Sequence, residues 1–190
     1  MSQNDSLCEE LSLQVIVDQQ FCCKTATTLT VWNKSLLFAA EGFTVFDSNG
    51  NLLFRVDTDD SLLLMDALGK PLLTLRRKHP SLHQRWEGFP GNNVDDHKPL
   101  FTVRRSSILP MNDCVEVFMN CGFICKPCAD YEIEGSFSDR CCTIYTTAPR
   151  MPAAEVKRKC SGTGTMLGKD VYTLYIERGF DQAFIMGIII

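Results

Sequence analysis

Three basic runs are the residues best suited to recognition chemistry: Arg76-Arg77-Lys78, Arg104-Arg105 and Lys157-Arg158-Lys159. Clustered guanidinium and ammonium groups bind phosphate, Arg as a planar fork and Lys as a point charge. The competing reading is solvated charge that keeps sheet edges from pairing with another chain. Other candidates are weaker. Cys121, Cys125 and Cys128 lie in "CGFICKPC", whose second half has the Cys-x-x-Cys spacing of a zinc knuckle. A structural zinc wants a second such pair. None occurs at the usual distance, and His79, His83 and His97 are not spaced as ligands, so no metal is expected. "CSGTGTMLGKD" (160–170) imitates a phosphate loop, but its lysine spacing is wrong and no helix comes after it. The histidines have neither a nucleophile motif nor paired carboxylates beside them, so no catalytic residue and no cofactor is expected.

The elements that must position these residues are short strands. Segments 13–17, 28–32, 43–46, 52–56, 62–65, 72–75, 85–87, 101–104, 115–119, 131–134, 142–145, 154–159 and 172–176 are rich in β-branched, aromatic and leucine residues between turn signals. About a dozen strands at near-regular spacing predict an all-β barrel or sandwich. The basic runs fall at strand ends. Because successive strand residues face opposite ways, each run is split between two faces and only part of each can converge.

One turn occurs twice. "DSNGN" (47–51) and "DALGK" (66–70) both place Asp three residues before Gly between apolar runs. Asp caps such a turn and Gly takes its left-handed position, which predicts two hairpins of a meander. A calcium loop would want further acidic residues at alternate positions, although Asp57, Asp59 and Asp60 are nearby.

The tail "GFDQAFIMGIII" differs from the rest. Asp181 is a candidate N-cap, and the residues after it are apolar on every side, the mark of a buried helix. A barrel of about a dozen strands leaves a lumen that one helix, about 10 Å across, would plug. Helix 180–190 is therefore expected inside the barrel, with Phe184 and Ile188 on one face.

Bulk properties agree with a single domain. The chain has 190 residues, 45% hydrophobic, with a formal charge of -4. That supplies a core and argues against general nucleic-acid binding, which favours a basic field. "MSQNDSLCEE" has neither the charged start nor the apolar centre of a signal peptide. The longest apolar run, "AFIMGIII", falls short of the roughly 20 residues of a membrane span. A cytoplasmic monomer with free thiols is expected, built of a flexible segment 1–12 and one domain over 13–190.

The stretches "LTVWNKSLLFAAEGFTVFDSNGNLLFRVD", "LLLMDALGKPLLTLRRK", "YEIEGSFSDRCCTIY" and "GKDVYTLYIERGFDQAFIMGIII" closely resemble the plant LURP-one-related proteins, in the family's order. The resemblance implies a closed antiparallel barrel of the tubby C-terminal and phospholipid scramblase type, about twelve strands around a hydrophobic C-terminal helix. It implies a non-enzymatic binding or regulatory role linked to plant defence. By analogy with the wider superfamily, it also implies contact with anionic phospholipids, phosphoinositides above all, at the plasma membrane. A nuclear location is compatible with it. The alternative it raises is scramblase-like lipid handling, which would want an inserted segment and a calcium site. Other members have a longer plug, so the short tail here is expected to leave part of the lumen unfilled. The family supplies no catalytic residue to carry over.

Overall fold

The computed structural model describes residues 13–33, 42–58, 60–79, 84–92, 94, 98–106, 114–120, 128–160, 167–168 and 170–190. Twelve strands are formed among them. They are β1 (Thr27–Asn33), β2 (Gly42–Phe46), β3 (Leu52–Thr58), β4 (Leu62–Asp66), β5 (Pro71–Arg77), β6 (Trp86–Pro90), β7 (Phe101–Arg105), β8 (Val115–Met119), β9 (Tyr131–Ser136), β10 (Cys141–Thr147), β11 (Arg150–Arg158) and β12 (Val171–Ile176). Each pairs antiparallel with its neighbours in sequence, and β1 pairs with β12 to close the barrel. An even number of strands is what an antiparallel ring requires. Odd strands all run one way and even strands the other, so odd strands all end at the same mouth.

Strand alternation produces the lumen. Leu29 and Val31 of β1 are fully buried while Thr28 and Trp32 are exposed. Leu64, Leu73, Phe101, Ile133, Ile144 and Leu174 likewise have no exposed surface. The lumen is filled by α1 (Gln182–Ile189), whose Ala183, Phe184, Ile185 and Met186 are wholly buried. Phe184 meets Phe101 edge-on with ring centroids 5.2 Å apart, and Tyr131 at the same distance. Such pairs add to the area they bury. Gly187 lets α1 lie close to β5, because a Cβ there would sit 2.8 Å from Leu73 Cδ1.

The repeated turn is a folding device. The Asp47 carboxylate accepts from the Asn49 and Asn51 amides, both at 2.8 Å. The Asp66 carboxylate accepts from the Leu68 and Lys70 amides, both at 2.9 Å. Gly50 and Gly69 take φ of 82° and 86°. Hydrogen bonding, first from the Asn51 side chain, holds the Asp47 carboxyl below its usual range.

Segment 13–17 is not a strand of the barrel, contrary to its apolar pattern. The β1–β12 pairing leaves no free edge for it. Gln14 makes only an isolated parallel bridge to Phe180. The amides of Ile16, Val17 and Asp18 instead donate to one oxygen of Asp181, at 3.2, 2.7 and 3.1 Å. The segment then enters a short 3-10 turn, Gln19–Phe21, whose Phe21 ring packs 5.0 Å from Phe54. It is a strap across the mouth where α1 begins.

Two sets of stability measurements check the turns and the strap. Gly50→Val and Gly69→Val should each cost about 1 kcal/mol or more, since β-branched residues are strained at positive φ; unchanged melting temperatures would contradict the turn geometry. Asp181→Ala should cost at least about 3 kcal/mol, because it orphans two buried and three part-buried amides together. It should also speed hydrogen exchange at Ile16–Asp18 before the barrel strands.

Candidate functional site

β5, β7 and β11 are all odd strands, so their C-terminal ends share one mouth. The three basic runs sit at these ends. Topology alone thus gathers residues as distant in sequence as Arg76 and Lys159 onto one rim. The C-terminal end of α1 reaches the same mouth, since Gly187–Ile190 share a cavity wall with Arg104 and Arg105.

Alternation sorts the cations into two sets. Arg77 continues the row of Leu73 and Leu75, Arg105 that of Phe101 and Val103, and Arg158 that of Ala154 and Val156. Leu73, Phe101 and Ala154 are buried against the core. Arg77, Arg105 and Arg158 are therefore the positions where these inward rows arrive at the rim. The other basic positions continue outward rows. Lys78 pairs with Glu87 at 3.2 Å, Arg104 with Glu116 at 3.1 Å, and Lys157 with Glu155 at 2.7 Å. Lys159 Nζ donates to Thr30 Oγ1 at 2.7 Å. Arg104 also lies 4.3 Å above the Phe118 ring. These exposed pairs contribute little to stability. Among the described residues, Arg77 and Arg105 have no carboxylate partner, and Arg158 Nε is buried without an acceptor.

Residues that no sequence motif marks join this mouth. His79 shares a recess of about 470 Å³ with Arg76, Arg77, Lys78, Asp60 and Glu87. Arg85 reaches Glu87 at 3.0 Å. Arg140, at a φ of 54° between β9 and β10, lies 4.6 Å over the Tyr172 ring. Trp32, 38% exposed, ends the outward row of β1 that begins at Thr28 and passes through Thr30, the partner of Lys159. Exposure of this tryptophan is visible only once the register is known.

A recognition surface of forked, partly unmatched guanidinium groups suits phosphate or carboxylate oxygens. The remaining candidates do not assemble a site. Cys121, Cys125, His83 and His97 lie outside the described residues, as do 161–166 and 169 of the glycine-rich stretch. Cys128 is exposed, and among the described residues no three His, Cys, Asp or Glu side chains are grouped to hold a metal.

The LURP-one-related family model matches residues 27–190. The chain belongs to the LURP-one-related family. Arabidopsis thaliana protein LURP-one-related 5 is 46% identical, the alignment covering 93% of this chain and 86% of the relative. LURP-one-related 12 of the same plant is 42% identical, over 96% of this chain and 84% of its own length. The X-ray structure of a further Arabidopsis thaliana protein matches with a TM-score of 0.68 at 25% identity, covering 92% of this chain and 94% of that one. The strand count and the central helix expected from the resemblance are those of this LURP-one-related barrel.

The cysteines of this LURP-one-related chain divide by burial. Cys128, Cys141 and Cys160 are exposed, whereas Cys22, Cys23 and Cys142 are buried. Burial pushes the Cys23 thiol up to about 12 and that of Cys142 to about 11. It likewise lifts the Tyr131 and Tyr172 hydroxyls to about 12. All four groups ionise later in the folded chain than in the unfolded one. Their contribution is intact below the unfolded values and is lost as pH rises through the folded ones. Melting temperature should therefore fall progressively above about pH 9. Near neutral pH, iodoacetamide should modify Cys128, Cys141 and Cys160 at least about tenfold faster than Cys22, Cys23 and Cys142, because thiolate and access are both required. Peptide mass mapping checks this, and equal rates would contradict the assigned burial.

Proposed function

We propose that this LURP-one-related chain is a non-enzymatic binding module. Its basic mouth docks on anionic phospholipids, with phosphoinositides preferred, at the cytoplasmic face of the plasma membrane. The observation that carries this reading is the convergence of Arg76-Arg77-Lys78, Arg104-Arg105 and Lys157-Arg158-Lys159 on one rim. A rim is a planar ring of charge, the shape that a flat surface can meet. Each Lys or Arg near an anionic leaflet contributes about 1 kcal/mol, which falls off within a Debye length. Trp32 supports the same geometry, since tryptophan prefers the membrane–water interface. The recess holding Arg76, Arg77, Lys78 and His79 is the place for a multiply phosphorylated headgroup.

Contact of this kind is peripheral. The apolar tail is spent inside the lumen, where Phe184 has no exposed surface, and among the described residues no helix is long and apolar enough to cross a membrane. That favours docking over scramblase-like lipid handling. The protein acts in this reading as a monomer that recruits or positions other factors, and the link to plant defence rests on the family resemblance.

Sedimentation with vesicles tests the proposal. Phosphatidylcholine vesicles carrying phosphatidylinositol bisphosphate should retain the protein better than phosphatidylserine vesicles of matched charge, and neutral vesicles should retain none. Arg77→Glu with Lys78→Glu should weaken retention by roughly tenfold or more, and added salt should do the same. Binding that ignores headgroup charge, or full retention of the double variant, would overturn it.

A further inference from the structure

The mouth opposite the basic rim has a surface of its own. β8 and β10 end there and β9 and β11 begin there, because even strands run against odd ones. Between these strand ends and the strap is a groove of about 490 Å³. Its described wall includes Leu13, Val15, Met119, Pro149 and Met151. Val15 on the strap and Met151 on β11 are each 49% exposed. Apolar side chains gathered around a groove mark an interaction surface, which scattered ones do not. Methionine suits such a surface because its flexible thioether adapts to what packs on it.

The strap adds main chain to this wall. Gln14 turns its amide to the Gly179 carbonyl, at 2.8 Å, within a parallel bridge to Phe180. Successive residues of an extended segment point their amide and carbonyl to opposite sides. Those of Val15 therefore face away from Phe180, and among the described residues they have no partner. An unpaired edge beside a groove is a template for an added strand. Asp130 is the one charged side chain in the described wall. One of its carboxylate oxygens accepts from the Met119 amide at 2.7 Å, and the other has no donor among the described residues. The groove thus offers an edge for main chain, apolar walls for side chains and a carboxylate for a cation.

We propose that this groove docks an extended peptide segment of a partner protein. The segment pairs with the Val15 main chain, lays apolar side chains on Val15, Met119 and Met151, and places a Lys or Arg at Asp130. The site does not rest on the membrane reading. It lies at the other mouth, so a docked peptide and a docked membrane would not compete for surface.

A random peptide library on phage, first depleted on the Met151→Glu protein, would be selected against the full-length chain at physiological salt. Fluorescence polarisation would then measure the recovered peptides. Alternating apolar residues with at least one Lys or Arg are expected in them. Val15→Pro removes the edge amide and should weaken binding by about tenfold or more, while Val15→Ala keeps it and should cost less than about threefold. Gln14 is already extended, as a residue before proline must be. Asp130→Asn keeps an acceptor for the Met119 amide, and should weaken binding by about fivefold or more and flatten its salt dependence. If Val15→Pro loosens the strap, seen as faster exchange at Ile16–Asp18, Asp130→Asn carries the test alone. Arg77→Glu with Lys78→Glu should leave peptide affinity within about twofold at this salt, so this site and vesicle docking succeed or fail separately. No enriched peptide, enrichment of acidic ones, or indifference to Asp130→Asn would overturn the assignment. Displacement of the selected peptides by a synthetic peptide of residues 1–12 or 121–127 would give the groove to this chain's own segment, and would overturn it as well.

Discussion

The fold depends on one buried carboxylate. Asp181 has no exposed surface, yet it accepts five backbone amides: Ile16, Val17 and Asp18 on one oxygen, Ala183 and Phe184 on the other. A charge taken out of water is costly unless its lone pairs are filled. Here they are filled by donors that would themselves be orphans. The first amides of α1 have no intrahelical acceptor, and the strap has no strand to pair with. The positive end of the helix adds to the match. One side chain thereby sets the depth at which α1 begins, and that depth decides that Phe184 meets Phe101 and Tyr131.

From that anchor the two mouths acquire different characters. At the anchored end, the strap crosses the opening, Gln14 accepts from the Tyr131 hydroxyl at 2.7 Å, and the Cys23 amide bonds to the Phe180 carbonyl at 2.9 Å. The chain ends of the barrel are sewn together there. At the other end, among the described residues, nothing comparable crosses α1, and the wall is a mixture of half-buried apolar side chains and arginines. Charge at that rim also serves the barrel itself, since the outward cations find partners in Glu87, Glu116 and Glu155. The inward rows end in Arg77, Arg105 and Arg158, which those carboxylates do not neutralise.

Much of this is legible in the sequence, and the remainder is hidden for a definable reason. Short β-rich runs between Asp-x-x-Gly turns announce a meander, and an all-apolar tail behind Asp181 announces a capped, buried helix. Those are local signals. The strap imitates a strand because 13–17 has a strand's apolar pattern. Whether such a segment pairs depends on a free edge, which ring closure removes. The split of each basic run is expected from alternation, but not which half turns inward. That depends on register, and register shifts interrupt the alternation at Val45/Phe46, Leu64/Met65 and Ile144/Tyr145. A one-residue slip sends a side chain to the opposite face. Trp32 and Arg140 escape a sequence reading for the same reason: nothing beside them in the chain places them at the mouth.

The distribution of stability has its origin in the same asymmetry. Regions held by many buried contacts open last, and binding regions are drawn from the less constrained end. Anchoring α1 at its N-terminus concentrates hydrogen bonds and aromatic packing in the first turns, around Asp181, Phe184 and the Phe101–Tyr131 wall. Its last residues, Ile188 to Ile190, share a cavity wall with apolar strand residues and rest mainly on apolar contact. Gly187 sits between the two regimes, where the helix approaches Leu73 closely. At the opposite mouth, the described residues around the helix end are apolar side chains and arginines rather than a hydrogen-bonded strap. In this chain, that mouth is also where topology delivers every one of the three basic runs.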